Sequence, residues 1–145
     1  MRDVDTVGGK NASLGEMYSS LSSLGIKVPN GYTITADGYR HFIDHNDLQA
    51  KIEQALSDLD THNVSQLSSA GASIREMIMH GDMPGDLVEQ ICRGYEELAK
   101  EYGPNPDVAV RSSATAEDLP GASFAGQQET YLNIRGAKNL VTTCR

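Results

Sequence analysis

The sequence predicts an α/β (α+β) chain in which a helical section is framed by strand signals that meet in one mixed or antiparallel sheet. Three observations lead there. Apolar residues recur at three- and four-residue spacing through the middle of the chain. Val108 and Val110 alternate with Ala109 and Arg111, and Thr130, Leu132 and Ile134 alternate further on. The breaks between these patterns fall on "GDMPGD" and "GPNP", which carry the Gly and Pro that end regular structure. At 145 residues the chain is one ordinary domain or part of one.

The first nine residues are polar and end in Gly8-Gly9. A helix is predicted from Asn11, with Ser13 and Glu16 at capping-box spacing and Leu14, Met17, Leu21 and Leu24 forming one stripe. Gly25 stops it. In "IKVPNGYTIT", Ile26 and Val28 alternate, Pro29-Asn30-Gly31 reads as a turn and residues 32–35 read as a strand. Thr35 then caps a short helix carrying Tyr39, Phe42 and Ile43. Further helices are predicted over about 47–60 (Leu48, Ile52, Leu56, Leu59) and 65–80 (Leu67, Ile74, Met77, Ile78). A third has Pro84 in its first turn and runs to about Tyr102, with Leu87, Ile91, Tyr95 and Leu98 on one face. These stripes read as packing faces. A last helix begins near Ala137.

Composition narrows the function. Apolar residues make up 39% and charged residues 22%, enough for a core. A net charge of −8 argues against broad contact with nucleic acid, and the absence of Trp with 6% aromatics argues against a base-stacking platform. No stretch has the length of a membrane span or the form of a signal core, so a cytoplasmic location with no membrane partner is the expectation. Cys92 and Cys144 are too few and too separated for a disulfide framework or a metal cluster. His41 and His45 share a helix face, with Asp37 and Asp44 nearby, but solvated histidines are the better reading than a metal site.

Two pieces carry chemistry. Gly8-Gly9-Lys10 precedes a helix, where glycines admit a bulky anion and first-turn amides attract it. Taken alone it is more often a solvated turn, and it lacks the Walker A spacing. Arg111 ends a strand and needs an anionic partner, either a ligand or a structural salt bridge to Glu117 or Asp118. Between the two late strands, Gly121, Ala122, Ser123, Phe124, Ala125 and Gly126 form a small-residue loop suited to covering phosphates, with the Ser123 and Thr130 hydroxyls as extra donors. Phe124 would pin that loop on apolar surface or a base. Ser112 and Ser113 lack a nucleophile elbow and have no histidine near them in sequence. Glu117, Asp118 and Glu129 read as surface charge ahead of magnesium ligands. The residue-level reading is therefore a phosphate site split across the chain.

"GGKNASLGEM", "VPNGYTIT", "VAVRSSATAEDLPGASFAGQQETYLNI" and "GAKNLV" together resemble the amino-terminal nucleotide-binding region of the phosphoenolpyruvate synthase (pyruvate, water dikinase) family, over essentially the whole chain. Pyruvate, phosphate dikinase and rifampicin phosphotransferase have similar regions. The resemblance implies an ATP-grasp-like first lobe, incomplete here. It would have its helical section at about 36–102 and a phosphate-loop hairpin at about 107–135. It implies that Lys10 and Arg111 contact ATP phosphates, that 121–126 closes over them, and that Thr130 is a weaker phosphate contact. The family splits ATP to AMP and phosphate and passes the beta-phosphate through a histidine on another domain to pyruvate. The second lobe with its Mg2+ ligands, the phosphohistidine domain and the pyruvate-binding domain are not in this sequence. None of His41, His45, His62 and His80 sits in a phosphocarrier motif. The resemblance thus implies a piece inactive by itself, with ATP and the remaining domains as partners. A stand-alone nucleotide-binding protein and self-association through uncovered apolar surface stay open.

Overall fold

The structure is a computed structural model that describes residues 4–115 and 127–145. A short helix α1 (Val4–Val7) leads through Gly8 into α2 (Gly9–Leu21), which runs on as a 3-10 turn over Ser22–Leu24. Gly25, left-handed at φ 78°, ends that unit. Then come α3 (Ala36–His45), α4 (Gln49–Ser57), α5 (Val64–His80) and α6 (Gly85–Tyr102). Strands β1 (Val108–Arg111) and β2 (Thr130–Ile134) pair antiparallel, and α7 (Ala137–Cys144) follows. The fold is mixed but mostly helical, and among the described residues its sheet has two strands.

Helix α6 is the spine. Its sequence places Leu87, Ile91, Tyr95 and Leu98 on one stripe, and all four are buried. Phe42 and Ile43 of α3, Leu48 and Leu140 of α7 cluster with the first three of these. Val108, Val110 and Ile134 bring one face of the hairpin onto the same core. Burying four large apolar side chains from one helix is the main reason it is stable, since an isolated helix of this length is marginal in water.

The Tyr95 hydroxyl ties this spine to the hairpin. It donates to the Pro106 carbonyl at 2.7 Å, with Asn105 Oδ1 a second acceptor at 3.1 Å. It accepts from the Gly136 amide at 2.9 Å. One buried oxygen therefore fixes both the turn that enters β1 and the junction between β2 and α7.

Three sequence expectations are corrected. First, residues 32–35 form no strand. Tyr32 is held by its side chain instead, its hydroxyl donating to the Ile91 carbonyl at 2.8 Å. Its ring lies flat on Gly94, where a Cβ would come within 2.8 Å of ring carbons. The segment is extended because it is anchored at points along α6, with Asn30 bonded to Glu101 and Tyr102. Second, Ser13 and Glu16 lie inside α2 and not at its start. Gly8 occupies the cap position, and no side chain caps the helix. Third, the stripe of α2 is not a packing face among the described residues. Leu14 and Met17 are 43% and 42% exposed and Leu24 is 73% exposed. Helices α4 and α5 bury no residue fully, but Ile52, Met77 and Ile78 of their stripes do pack against the core, as expected.

The hairpin carries a β-bulge. Val108 pairs with Ile134, Val110 with Tyr131 and Arg111 with Thr130, so β2 has one extra residue between the first two pairs. Asn133, left-handed at φ 59°, accommodates it. The expected alternation put Thr130, Leu132 and Ile134 on one face. The bulge breaks it. Ile134 stays on the core side, Leu132 is 62% exposed, and Thr130 moves to the face that carries Arg111.

Two consequences are measurable. Tyr95→Phe leaves the Pro106 carbonyl and the Gly136 amide short of a partner and should lower unfolding free energy by about 1–3 kcal/mol in urea titrations. Tyr32 gives a pH dependence. Burial of its hydroxyl, reinforced by the nearby Cys144 and Cys92 thiols, raises its pKa above the ordinary 10. The unfolded chain then releases this proton first, so its contribution to stability is intact below pH 10 and falls as pH rises past it. Comparing urea midpoints at pH 8 and pH 11 should show a loss that Tyr32→Phe reduces.

Candidate phosphate-binding site

Gly8 starts the site. Its φ of 79° and ψ of 157° lie in a region that essentially only glycine adopts. A Cβ there would stand 3.0 Å from the Ala114 carbonyl oxygen. The bare backbone thus lets the beginning of α2 press against the segment that follows β1. Lys10 falls in the first turn of α2, with an exposed side chain. That turn contains no acid. A lysine here sits at the positive end of the helix dipole, the end that a helix by itself would give to an acid.

Asn11 makes the connection. Its side-chain amide donates to the Val7 carbonyl at 2.7 Å and to Ser113 Oγ at 3.0 Å. The second bond joins residues 102 positions apart. It sets the helix start bearing Lys10 beside the chain that has just left Arg111.

Arg111 is the last residue of β1, exposed, and directly across from Thr130. Cross-strand partners project to the same face, so the guanidinium and the hydroxyl are neighbours on the side away from the core. No ion pair among the described residues involves Arg111. Glu117 and Asp118, its sequence-level salt-bridge candidates, lie outside the described residues. So do Gly121, Ala122, Ser123, Phe124, Ala125 and Gly126.

Past Arg111 the strands stay joined through Ser112. Its amide donates to the Glu129 carbonyl at 3.0 Å. Its hydroxyl accepts from the Glu129 amide at 2.7 Å and donates to Gln128 Oε1 at 2.7 Å. The two serines considered as nucleophiles thus have partners of a different kind, one on each side of the site. Asn11 was missed from sequence, and Ser112 and Ser113 were weighed there only as nucleophiles. The single available hint for Asn11 was its place directly after Gly-Gly-Lys.

Elsewhere the chemistry is structural. His41 Nε2 lies 2.9 Å from Asp86 Oδ1, and this contact holds the Asp86 carboxyl below the usual carboxylate range. The acid facing His41 is therefore Asp86 of α6. Asp37 bonds Arg40 instead. Among the described residues no three His, Cys, Asp or Glu side chains form a metal-binding group. Cys92 and Cys144 are free, and burial pushes the Cys144 thiol up. No helix among the described residues is long and apolar enough to cross a membrane. An open groove of about 410 Å3 lies between α4 and α5, but none of Lys10, Arg111 and Thr130 lines it.

Comparison with known proteins gives this geometry a context. Residues 4–145 match the family described as pyruvate phosphate dikinase, AMP/ATP-binding domain. The chain is 51% identical over 146 residues to a phosphoenolpyruvate synthase of Aquifex aeolicus, with 100% of the chain and 17% of the relative covered. It is 49% identical to that of Pseudomonas aeruginosa over 145 residues, covering 100% of the chain and 18% of the relative. With the Escherichia coli enzyme it is 49% identical over 136 residues, or 94% of the chain and 17% of the relative. The chain therefore spans less than a fifth of the length of these relatives. With the match running through both the Gly-Gly-Lys helix start and the β1–β2 hairpin, the chain belongs to the pyruvate phosphate dikinase AMP/ATP-binding domain family.

Proposed function

We propose that this chain is the first, ATP-grasp-like lobe of the nucleotide-binding domain of a phosphoenolpyruvate synthase, occupying 1–145, and that Lys10, Arg111 and Thr130 bind the phosphates of ATP. The 121–126 loop closes over them. The observation that carries the reading is the Asn11–Ser113 hydrogen bond, which brings together the ends of a site otherwise separated by most of the sequence. A polyanion fits the residues there. Lys10 adds its charge to the positive end of α2, and Arg111 offers a forked donor within reach of the Thr130 hydroxyl.

Phosphoryl transfer needs positioning and neutralisation of charge on the transferring oxygens more than it needs covalent help. Lys10 and Arg111 supply that charge, and loop amides supply oriented donors. In the full-length enzyme, ATP and water are converted with pyruvate to phosphoenolpyruvate, AMP and phosphate, the beta-phosphate travelling on a histidine of another domain. Magnesium would balance phosphate charge from ligands in the second lobe. No step is assigned to it on the described residues. Pyruvate as the acceptor is the reading favoured by similarity to phosphoenolpyruvate synthases. By itself this lobe binds nucleotide without turnover. In the whole enzyme the exposed Leu14, Met17 and Leu24 are covered by the remaining domains, and in isolation they favour self-association.

Calorimetric titration of the chain with a non-hydrolysable ATP analogue and magnesium tests the assignment. Lys10→Ala and Arg111→Ala should each weaken binding roughly tenfold or more, the loss expected for one charge-assisted hydrogen bond. Arg40→Ala, which removes a cation paired with Asp37 on α3, should leave it unchanged. Equal affinity in all four proteins would overturn the site.

A further inference from the structure

We infer that Asn11 and Ser113 are positioning residues that set the gap between the two cations of the phosphate site, with Ser112 holding the strand side rigid. This rests on the phosphate reading above and deepens it. The argument follows the bonds across the site. Thr130 and Arg111 are locked in register by the hairpin. One residue on, Ser112 grips the returning strand three ways, through backbone N, hydroxyl donor and hydroxyl acceptor. The backbone of Ser113 therefore starts from a fixed point. Its hydroxyl then receives one amide hydrogen of Asn11, whose other hydrogen goes to the Val7 carbonyl at the end of α1. Asn11 thus spans three pieces, α1, the first turn of α2 and the β1 exit, and it neighbours Lys10 in sequence. Gly8 permits the approach, since any side chain there would press on Ala114.

A bridging amide suits this task. It has two donors at one end, so one side chain can satisfy two acceptors on different segments. A ligand that needs the lysine and the arginine at once is sensitive to their separation, because misplacement costs binding even when both charges remain. The Asn11–Ser113 contact is exposed on the serine side, and such a bond adds little to global stability. Its effect should therefore show in ligand affinity more than in unfolding.

The test is a double-mutant cycle on the chain, read by calorimetry with the non-hydrolysable ATP analogue and, in parallel, by urea midpoint. Asn11→Ala and Ser113→Ala should each weaken affinity roughly two- to tenfold. The double variant should be no weaker than the poorer single one, because both remove the same bond. Ser113→Thr keeps a hydroxyl and should restore affinity to near that of the unmodified chain. Urea midpoints should move little throughout. Losses that multiply in the double variant, or a Ser113→Thr protein as weak as Ser113→Ala, would overturn the inference. So would affinity losses that merely track the urea midpoint. Lys10→Ala runs alongside. If it weakens binding while Asn11→Ala and Ser113→Ala do not, the positioning role fails and the phosphate site stands. If Lys10→Ala has no effect, the phosphate reading falls and takes this inference with it.

Discussion

Everything that positions the candidate site hangs on the buried stripe of α6. Leu87, Ile91 and Tyr95 hold the helix against α3 and α7, and the Tyr95 hydroxyl then dictates where the chain goes next. It fixes the entry to β1 and the exit from β2 within one hydrogen-bonding centre. The hairpin cannot rotate about its own axis without breaking that centre, so the face bearing Arg111 and Thr130 is set from the core outward. The site itself contributes little to this. Its residues are exposed, short of apolar contact and joined by hydrogen bonds near the surface. A stable spine carrying a loosely buried ligand surface is the usual division of labour between core and loops.

Electrostatics set a second limit. The chain is acidic, at −8, and a triphosphate approaching it meets general repulsion. Attraction has to be local. In the proposed site it would come from Lys10 in the first turn of α2 and Arg111 on the solvent face of β1. Their segments are joined by a neutral contact, Asn11 to Ser113, which brings them together without adding charge of either sign.

Much of the framework was legible in the sequence because it is periodic. The α6 stripe repeats at helical spacing, and Val108 with Val110 repeats at strand spacing, so both came out where the structure has them. What was illegible depended on partners. Residues 32–35 have the composition of a strand, but Tyr32 finds α6 in place of another strand. Ser13 and Glu16 have the spacing of a cap, but Gly8 takes that position because the backbone there has to run against Ala114. The approach of the segment bearing Lys10 to the one that follows Arg111 was a matter of chemistry in the sequence and of topology in the structure. No local pattern encodes a bond over 102 residues. Resemblance to a family supplied the idea of the site. The residues that join its halves came from coordinates alone.

The extra residue in β2 has a cost that can be named. Pairing the same strands without the bulge would restore simple alternation, with Leu132 facing Val110 and packing inward, a burial worth about 1.5–3 kcal/mol. That register would slide Thr130 opposite Ser112 and set Tyr131 against Arg111. The register best for cohesion therefore parts Thr130 from Arg111. This hairpin leaves a leucine wet and keeps a threonine beside an arginine. A chain that lost the extra residue outright would keep that pairing, so a slip of the two strands, and not a shortening of β2, is what would separate them.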